Sequence, residues 1–133
     1  MPDQLRQLFL NFMLNSADAI TMSGQKNQGR IRIQSENRTS SGPDGKESSG
    51  MIRVVFEDNG IGIAAEDMDK IFDPFFTTKP PGMGSGLGLW VSLLIAESIG
   101  GKIEVENNPT GGARMILSLP VCGKGVAAFS HSV

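Results

Sequence analysis

Glu57-Asp58-Asn59-Gly60-Ile61-Gly62-Ile63 closes an apolar run that begins at Met51, and its reading decides the fold. Met51 to Asp58 is rich in branched residues and phenylalanine, which predicts a strand. Side chains alternate across a strand, so Ile52, Val54, Phe56 and Asp58 share one face, while Arg53 and Glu57 mark the wetter one. Asp58 is therefore aimed into the apolar side, where a carboxylate needs donors. Asn59-Gly60 alone suggests a hairpin turn. No strand returns at once, however, because Ala64 to Lys70 reads as a short helix. Gly60 and Gly62 instead make a side-chain-free bend that lets a flat group approach the backbone. Two readings follow. Asp58 either accepts a hydrogen bond from an amine on a planar ligand, or it ties down its own turn.

The chain of 133 residues is long enough for one domain with a real core. Its 39% apolar and 20% charged content is globular, and a net charge of -2 gives no basic field for nucleic acid. No apolar run approaches the length of a membrane span and the first residues are not those of a signal peptide, which predicts a soluble cytoplasmic domain without membrane contact. Cys122 is the single cysteine, so neither a disulfide framework nor a cysteine metal site is available. The one histidine, His131, falls in the tail from Gly123 to Val133, which reads as frayed.

Working outward toward the N-terminus, Asp3 caps a predicted helix running to about Met22. Leu5, Leu8, Phe9, Phe12 and Met13 form one apolar face, and Leu10, Leu14 and Ala17 another, so the helix is expected to be buried on nearly all sides. One polar stripe remains, with Asn11, Asn15 and Asp18 at i, i+4 and i+7. Such amides need either a protein network or a ligand and its metal as partners. Gly29 to Gln34 is expected to be a strand with Ile31 and Ile33 inward. Ser35 to Gly50 is rich in Ser, Gly and charge and reads as a long mobile loop.

Toward the C-terminus comes Ile71-Phe72-Asp73-Pro74-Phe75-Phe76-Thr77-Thr78-Lys79. Phe72 and Phe75 read as a hydrophobic anchor, and Thr77 to Ser85 as a segment able to open and close like a lid. Gly84-Ser85-Gly86-Leu87-Gly88-Leu89 then opens a helix whose expected buried stripe is Leu87, Trp90, Val91, Leu94 and Ile95. Its bare N–H groups and positive dipole end suit phosphate, although a flexible loop before a packed helix would look the same. It is not a Walker loop, since no Lys-Ser/Thr follows the glycines. Lys102 to Asn107 and Ala113 to Leu119 form a hairpin around Asn108 to Gly112, with Met115, Leu117 and Leu119 inward and Pro120 ending the strand.

The asparagine helix, Asp58 to Ile63, Phe72 to Lys79, Gly84 to Leu89 and Gly111-Gly112, in that order, resemble the N, first-glycine, phenylalanine, second-glycine and third-glycine boxes of sensor histidine kinases. These belong to the gyrase, heat-shock chaperone, histidine kinase and MutL ATP-binding superfamily. The resemblance covers roughly residues 3–121, and Asn15 to Ala19 with Phe75 to Lys79 look like the nitrogen-regulation type. It implies a two-layer α+β sandwich, the Bergerat-type ATP-binding fold, with helices on one face of a mixed, mainly antiparallel sheet. Residues 1–122 would be the catalytic domain.

Carried over residue by residue, Asp58 would receive the adenine amine, Gly60 and Gly62 would admit the ring, and Asn15 would ligate Mg²⁺. Lys79 and the N–H groups of Gly86, Leu87 and Gly88 would hold the phosphates of ATP. The implied nucleotide site also takes in Asp18, Ile63, Phe72, Thr77, Thr78, Gly84, Ser85, Leu89 and Ala113. Asn11, Asn15 and Lys79 would be the catalytic set. Ala113 stands where the family often has threonine, and Asp18 where many sensor kinases carry a basic residue. The chain begins at the asparagine helix, without the strands and the histidine-bearing dimerisation helix pair that usually precede it. Asn11 stands where relatives that hydrolyse ATP place a carboxylate base, and an amide cannot take a proton at neutral pH. The resemblance therefore implies slow hydrolysis, with the γ-phosphoryl passing to a histidine on the dimerisation domain and onward to a response regulator receiver domain. A gyrase- or MutL-like ATPase that self-associates on ATP, and a binding module that kept the fold but lost nucleotide, are the alternatives.

Overall fold

The computed structural model describes residues 2–24, 28–38, 50–79 and 86–121. Helix α1 (Pro2–Ser23) leads into strand β1 (Ile31–Arg38), which pairs with β2 (Gly50–Asp58). A single 3₁₀ turn at Ala65–Asp67 follows, then helix α2 (Gly88–Ser98) and the hairpin of β3 (Lys102–Asn107) and β4 (Ala113–Val121). The strands lie in the order β1-β2-β4-β3, and every pairing among the described residues is antiparallel. β2 thus lies inside the sheet, flanked by β1 and β4, with Asp58 at its end.

Both helices cover one face of the sheet. Period-two alternation sends Val54, Phe56 and Asp58 of β2 and Met115, Leu117 and Leu119 of β4 beneath them. Phe56 is 1% exposed and receives the ring edges of Phe9 and Phe12 at centroid distances of 5.4 and 5.2 Å. Truncating a phenylalanine in such a setting costs about 3–5 kcal/mol. On the opposite face, Arg114 pairs with Glu57 and Glu106, and Arg53 with Glu36.

Several expectations from the sequence are corrected. α1 buries one face only: Leu8 and Phe12 are inaccessible, whereas Leu10, Met13 and Leu14 are 49%, 43% and 52% exposed, because the helix forms the outer of two layers. In α2 the buried residues are Ser92, Ile95 and Ala96, while Leu94 is exposed, because small residues let the helices approach. Ile33 is half exposed on the edge strand β1. β1 continues to Arg38 rather than ending at Gln34, so the loop expected from Ser35 is shorter, and residues 39–49 lie outside the described residues. β4 continues through Pro120, which pairs with Met51. β3 stops level with Ser118, so the missing N–H has no strand to serve on that side. The tail from Gly123, with His131, lies outside the described residues.

Candidate functional site

Between α1, the end of β2 and the start of α2 lies a cavity of about 630 Å³. Asn11, Asn15, Asp18, Asp58, Gly62, Ile63, Thr77, Thr78, Lys79, Gly86, Gly88, Leu89 and Ala113 all line it. These residues span more than a hundred positions of sequence, and the sheet register together with the packing of α1 against α2 is what collects them.

Asp58 is 6% exposed. Its Oδ1 accepts from the N–H of Gly60 at 2.9 Å and of Ala113 at 3.3 Å. Oδ2 takes part in no hydrogen bond among the described residues, and the side chain lines the cavity. One oxygen secures the turn, as the second of the two readings expects, and Oδ2 is left without a bond among the described residues. Gly112 makes this arrangement possible. It has φ +87°, and a Cβ there would lie 2.0 Å from the Asp58 carbonyl oxygen, so the hairpin could not approach with any side chain at that position.

The opposite end of the cavity is polar. Lys79 Nζ donates to Asp18 Oδ2 at 2.6 Å and to Asn15 Oδ1 at 3.1 Å, while Asn15 Nδ2 is buried and has no partner among the described residues. The i, i+4, i+7 stripe of α1 therefore does converge, although Asn11 is engaged elsewhere. Its Nδ2 donates to the Gly88 carbonyl and to Ser92 Oγ, both at 3.2 Å, and its Oδ1 accepts from Gln7 at 2.9 Å. Asn11 fastens α1 to the first turn of α2 and has no free donor to offer a ligand. The first turn of α2 carries no side-chain cap, and its residues Gly88 and Leu89 line this cavity.

Oxygen donors suit magnesium, and an ammonium already bridges the Asn15 amide oxygen and the Asp18 carboxylate. The residues present therefore fit a small hard cation next to phosphate. Among the described residues no group of three or more His, Cys, Asp or Glu could hold a metal by itself, so phosphate oxygens would have to complete the shell.

The remaining expected residues fall elsewhere. Gly60 packs on the main chain of Ala19, below the cavity, and Phe72 packs against the core. Leu87 is the N-cap of α2 and does not line the cavity; Gly84 and Ser85 lie outside the described residues, as does most of the expected lid. Phe75 is not a side-chain anchor. It is 73% exposed at φ +69°, and its N–H donates to the Gly86 carbonyl at 3.0 Å. Gly86 is obligatory there, since a Cβ would meet the Phe75 main chain at 2.4 Å. Phe76 turns inward instead and lines the cavity, with Leu14, Met22, Ile61, Ile71 and Met115, none of which was among the expected site residues. Met22 follows Asp18 by four residues, a spacing that extends the cavity-facing stripe by one more turn.

Residues 1–122 match the family described as histidine kinase-, DNA gyrase B-, and HSP90-like ATPase. The sensor histidine kinase ZraS of Escherichia coli O157:H7 is 40% identical over 120 residues, which is 90% of this chain and 22% of that protein. The C4-dicarboxylate transport sensor protein DctB of Rhizobium meliloti (strain 1021) is 37% identical over 81% of this chain and 15% of its own length. The chain thus spans about a fifth of the length of the curated relatives it matches. Among solved structures, the nucleotide-free catalytic domain of histidine kinase ThkA superposes with a TM-score of 0.67 at 31% identity, covering 90% of this chain and 68% of that one.

Proposed function

The chain belongs to the histidine kinase-, DNA gyrase B- and HSP90-like ATPase family as the catalytic ATP-binding domain of a two-component sensor histidine kinase, and we propose that it passes the γ-phosphoryl group of Mg-ATP to a histidine on a separate dimerisation domain. A response regulator receiver domain would then take the phosphoryl group. Relatives bearing the name of sensor kinases support placing the domain on the cytoplasmic side, and no helix among the described residues is long and apolar enough to cross a membrane.

The observation that carries this reading is the division of the cavity into two ends. Asp58 Oδ2 stands ready for the exocyclic amine of adenine, and the Gly62–Ile63 wall admits a flat ring. At the other end Lys79 and the uncapped start of α2 receive phosphate. Asn15 Oδ1 would hold Mg²⁺, which when bound neutralises charge on the phosphates and orients them. Phosphoryl transfer asks for positioning and charge neutralisation more than for covalent help. Asn11, bonded to Gly88, Ser92 and Gln7, offers no base to activate water, which favours an outside imidazole as acceptor over hydrolysis.

The test supplies γ-labelled ATP and Mg²⁺ to this chain together with the histidine-bearing domain of the full-length protein. Acid-labile label on the added domain is the expected result. Rapid release of inorganic phosphate by the chain alone would instead indicate a gyrase- or MutL-like ATPase. Absence of any nucleotide binding would indicate a module that kept only the fold.

A further inference from the structure

At the end of β3, Asn107 makes two hydrogen bonds to one residue across a sequence separation of 44. Its Oδ1 accepts from the Ile63 N–H at 2.8 Å, and its Nδ2 donates to the Ile63 carbonyl at 2.6 Å. A primary amide presents a donor and an acceptor side by side, so Asn107 serves Ile63 as the edge of a neighbouring strand would. Ile63 and Gly62 form one wall of the cavity, and Asn107 Oδ1 stands only 3.1 Å from where a Cβ on Gly62 would lie. In the β3–β4 register Asn107 faces Ala113, whose N–H donates to Asp58 Oδ1. A continuous path therefore joins the wall to the carboxylate: Ile63, Asn107, Ala113, Asp58.

We infer that Asn107 is a positioning residue that sets the width of the adenine slot by fixing the Gly62–Ile63 wall relative to Asp58. The inference rests on the nucleotide reading of the cavity. Asn107 itself is exposed and does not line the cavity, so its effect on a base passes through Ile63. Ala or Asp at this position cannot serve both Ile63 groups. Asp would keep the bond from the N–H but set a carboxylate oxygen against the carbonyl. Gln keeps both functions with one more methylene of reach.

The experiment measures affinities of ATP, ADP and GTP for the 133-residue chain and its Asn107→Ala, Asn107→Asp and Asn107→Gln variants, alongside thermal melts. In Asn107→Ala and Asn107→Asp, ATP and ADP affinity should fall by the same factor, about tenfold, and the preference for ATP over GTP should shrink. The gain from the γ-phosphate, read as the ATP/ADP affinity ratio, should stay at its wild-type value. Asn107→Gln should recover most of the purine preference. Wild-type affinities and purine preference in folded Asn107→Ala would overturn the inference while leaving the nucleotide site intact. Equal loss of base preference and γ-phosphate gain, with a lowered melting temperature, would assign Asn107 a structural role only. Failure of the wild-type chain to bind ATP would overturn the reading of the cavity, and this inference with it.

Discussion

Replacing Asp58 by Asn separates the two roles of its carboxyl group. In the structure Oδ1 accepts from Gly60 and Ala113 N–H groups, and an asparagine keeps an acceptor there. The other terminus, which faces the cavity, changes from acceptor to donor. An adenine amine then meets an amide N–H₂, so a charge-assisted hydrogen bond of about 1.5–3 kcal/mol is lost and two donors oppose each other, costing about 1–3 kcal/mol more. ATP affinity should fall by roughly two to four orders of magnitude. Folding should suffer far less, by about 1 kcal/mol, since both N–H groups keep a partner. A purine with a carbonyl at the same ring position should reverse the pattern: inosine triphosphate lacks the amine and can accept from the asparagine. Calorimetric titration of wild type and Asp58→Asn with ATP and inosine triphosphate, with Mg²⁺ present and melting curves in parallel, reads both quantities. If the variant melts like the wild type and binds ATP within threefold of it, Asp58 Oδ2 does not receive the adenine amine and the orientation of the base argued here is wrong.

Gly112→Ala should act on the same carboxylate from behind. It forces a residue at φ +87° to carry a Cβ that lies 2.0 Å from the Asp58 carbonyl, so a few kcal/mol of stability and a melting point on the order of 10 °C lower are expected, with ATP binding lost in parallel. Lys79→Met should weaken ATP more than ADP while leaving the melting point nearly unchanged, because its ion pair with Asp18 lies at a cavity mouth that water reaches; equal loss for the two nucleotides would refute this. Phe75→Gly should cost no thermal stability even though it deletes an aromatic ring, since the ring is exposed and φ +69° suits glycine; a melting point lower by more than a few degrees would show that the ring packs.

The fold was legible where a simple period carries it. Val54, Phe56 and Asp58 alternate with Val55 and Glu57, and that alternation alone puts the carboxylate under the helices. The order of the glycine and asparagine boxes then carried the topology. Which apolar residues stay outside was not legible. Hydropathy records that Leu10 and Leu94 prefer burial, but two helices over one sheet leave no third layer to cover their outer sides among the described residues, while Leu14 is exposed at the cavity it lines. α2 was misread for a related reason. Helix spacing points to its large residues, while α1 is bonded to α2 at Gly88 and Ser92 through Asn11, where small residues face it. Asn11 and Asn107 look alike in sequence, as polar residues at element faces. Their roles depend on partners 77 and 44 positions away, which only the register of the sheet and the docking of the helices supply.

The two ends of the cavity differ in how firmly the chain itself defines them. At the proposed base end the groups that shape the slot are already bonded within the chain: Asp58 by the Gly60 and Ala113 main chain, Ile63 by the Asn107 side-chain amide, and the hairpin by its close approach at Gly112. A flat ring can be recognised there without rearrangement, which keeps the ordering cost of binding low. At the phosphate end the same three groups that would meet Mg-triphosphate, Lys79, Asn15 and Asp18, bond to one another. Lys79 Nζ already directs two of its three donors to Asp18 and Asn15, and a cation on Asn15 Oδ1 would stand beside the ammonium that this oxygen now accepts from. On the proposed reading, phosphate and metal would compete with these existing charge contacts, so the affinity contributed at this end would be a difference between two favourable arrangements. On the proposed reading, adenine would fix where the nucleotide sits, and the contacts of Lys79 would decide how strongly the γ-phosphate and its cation add to that hold.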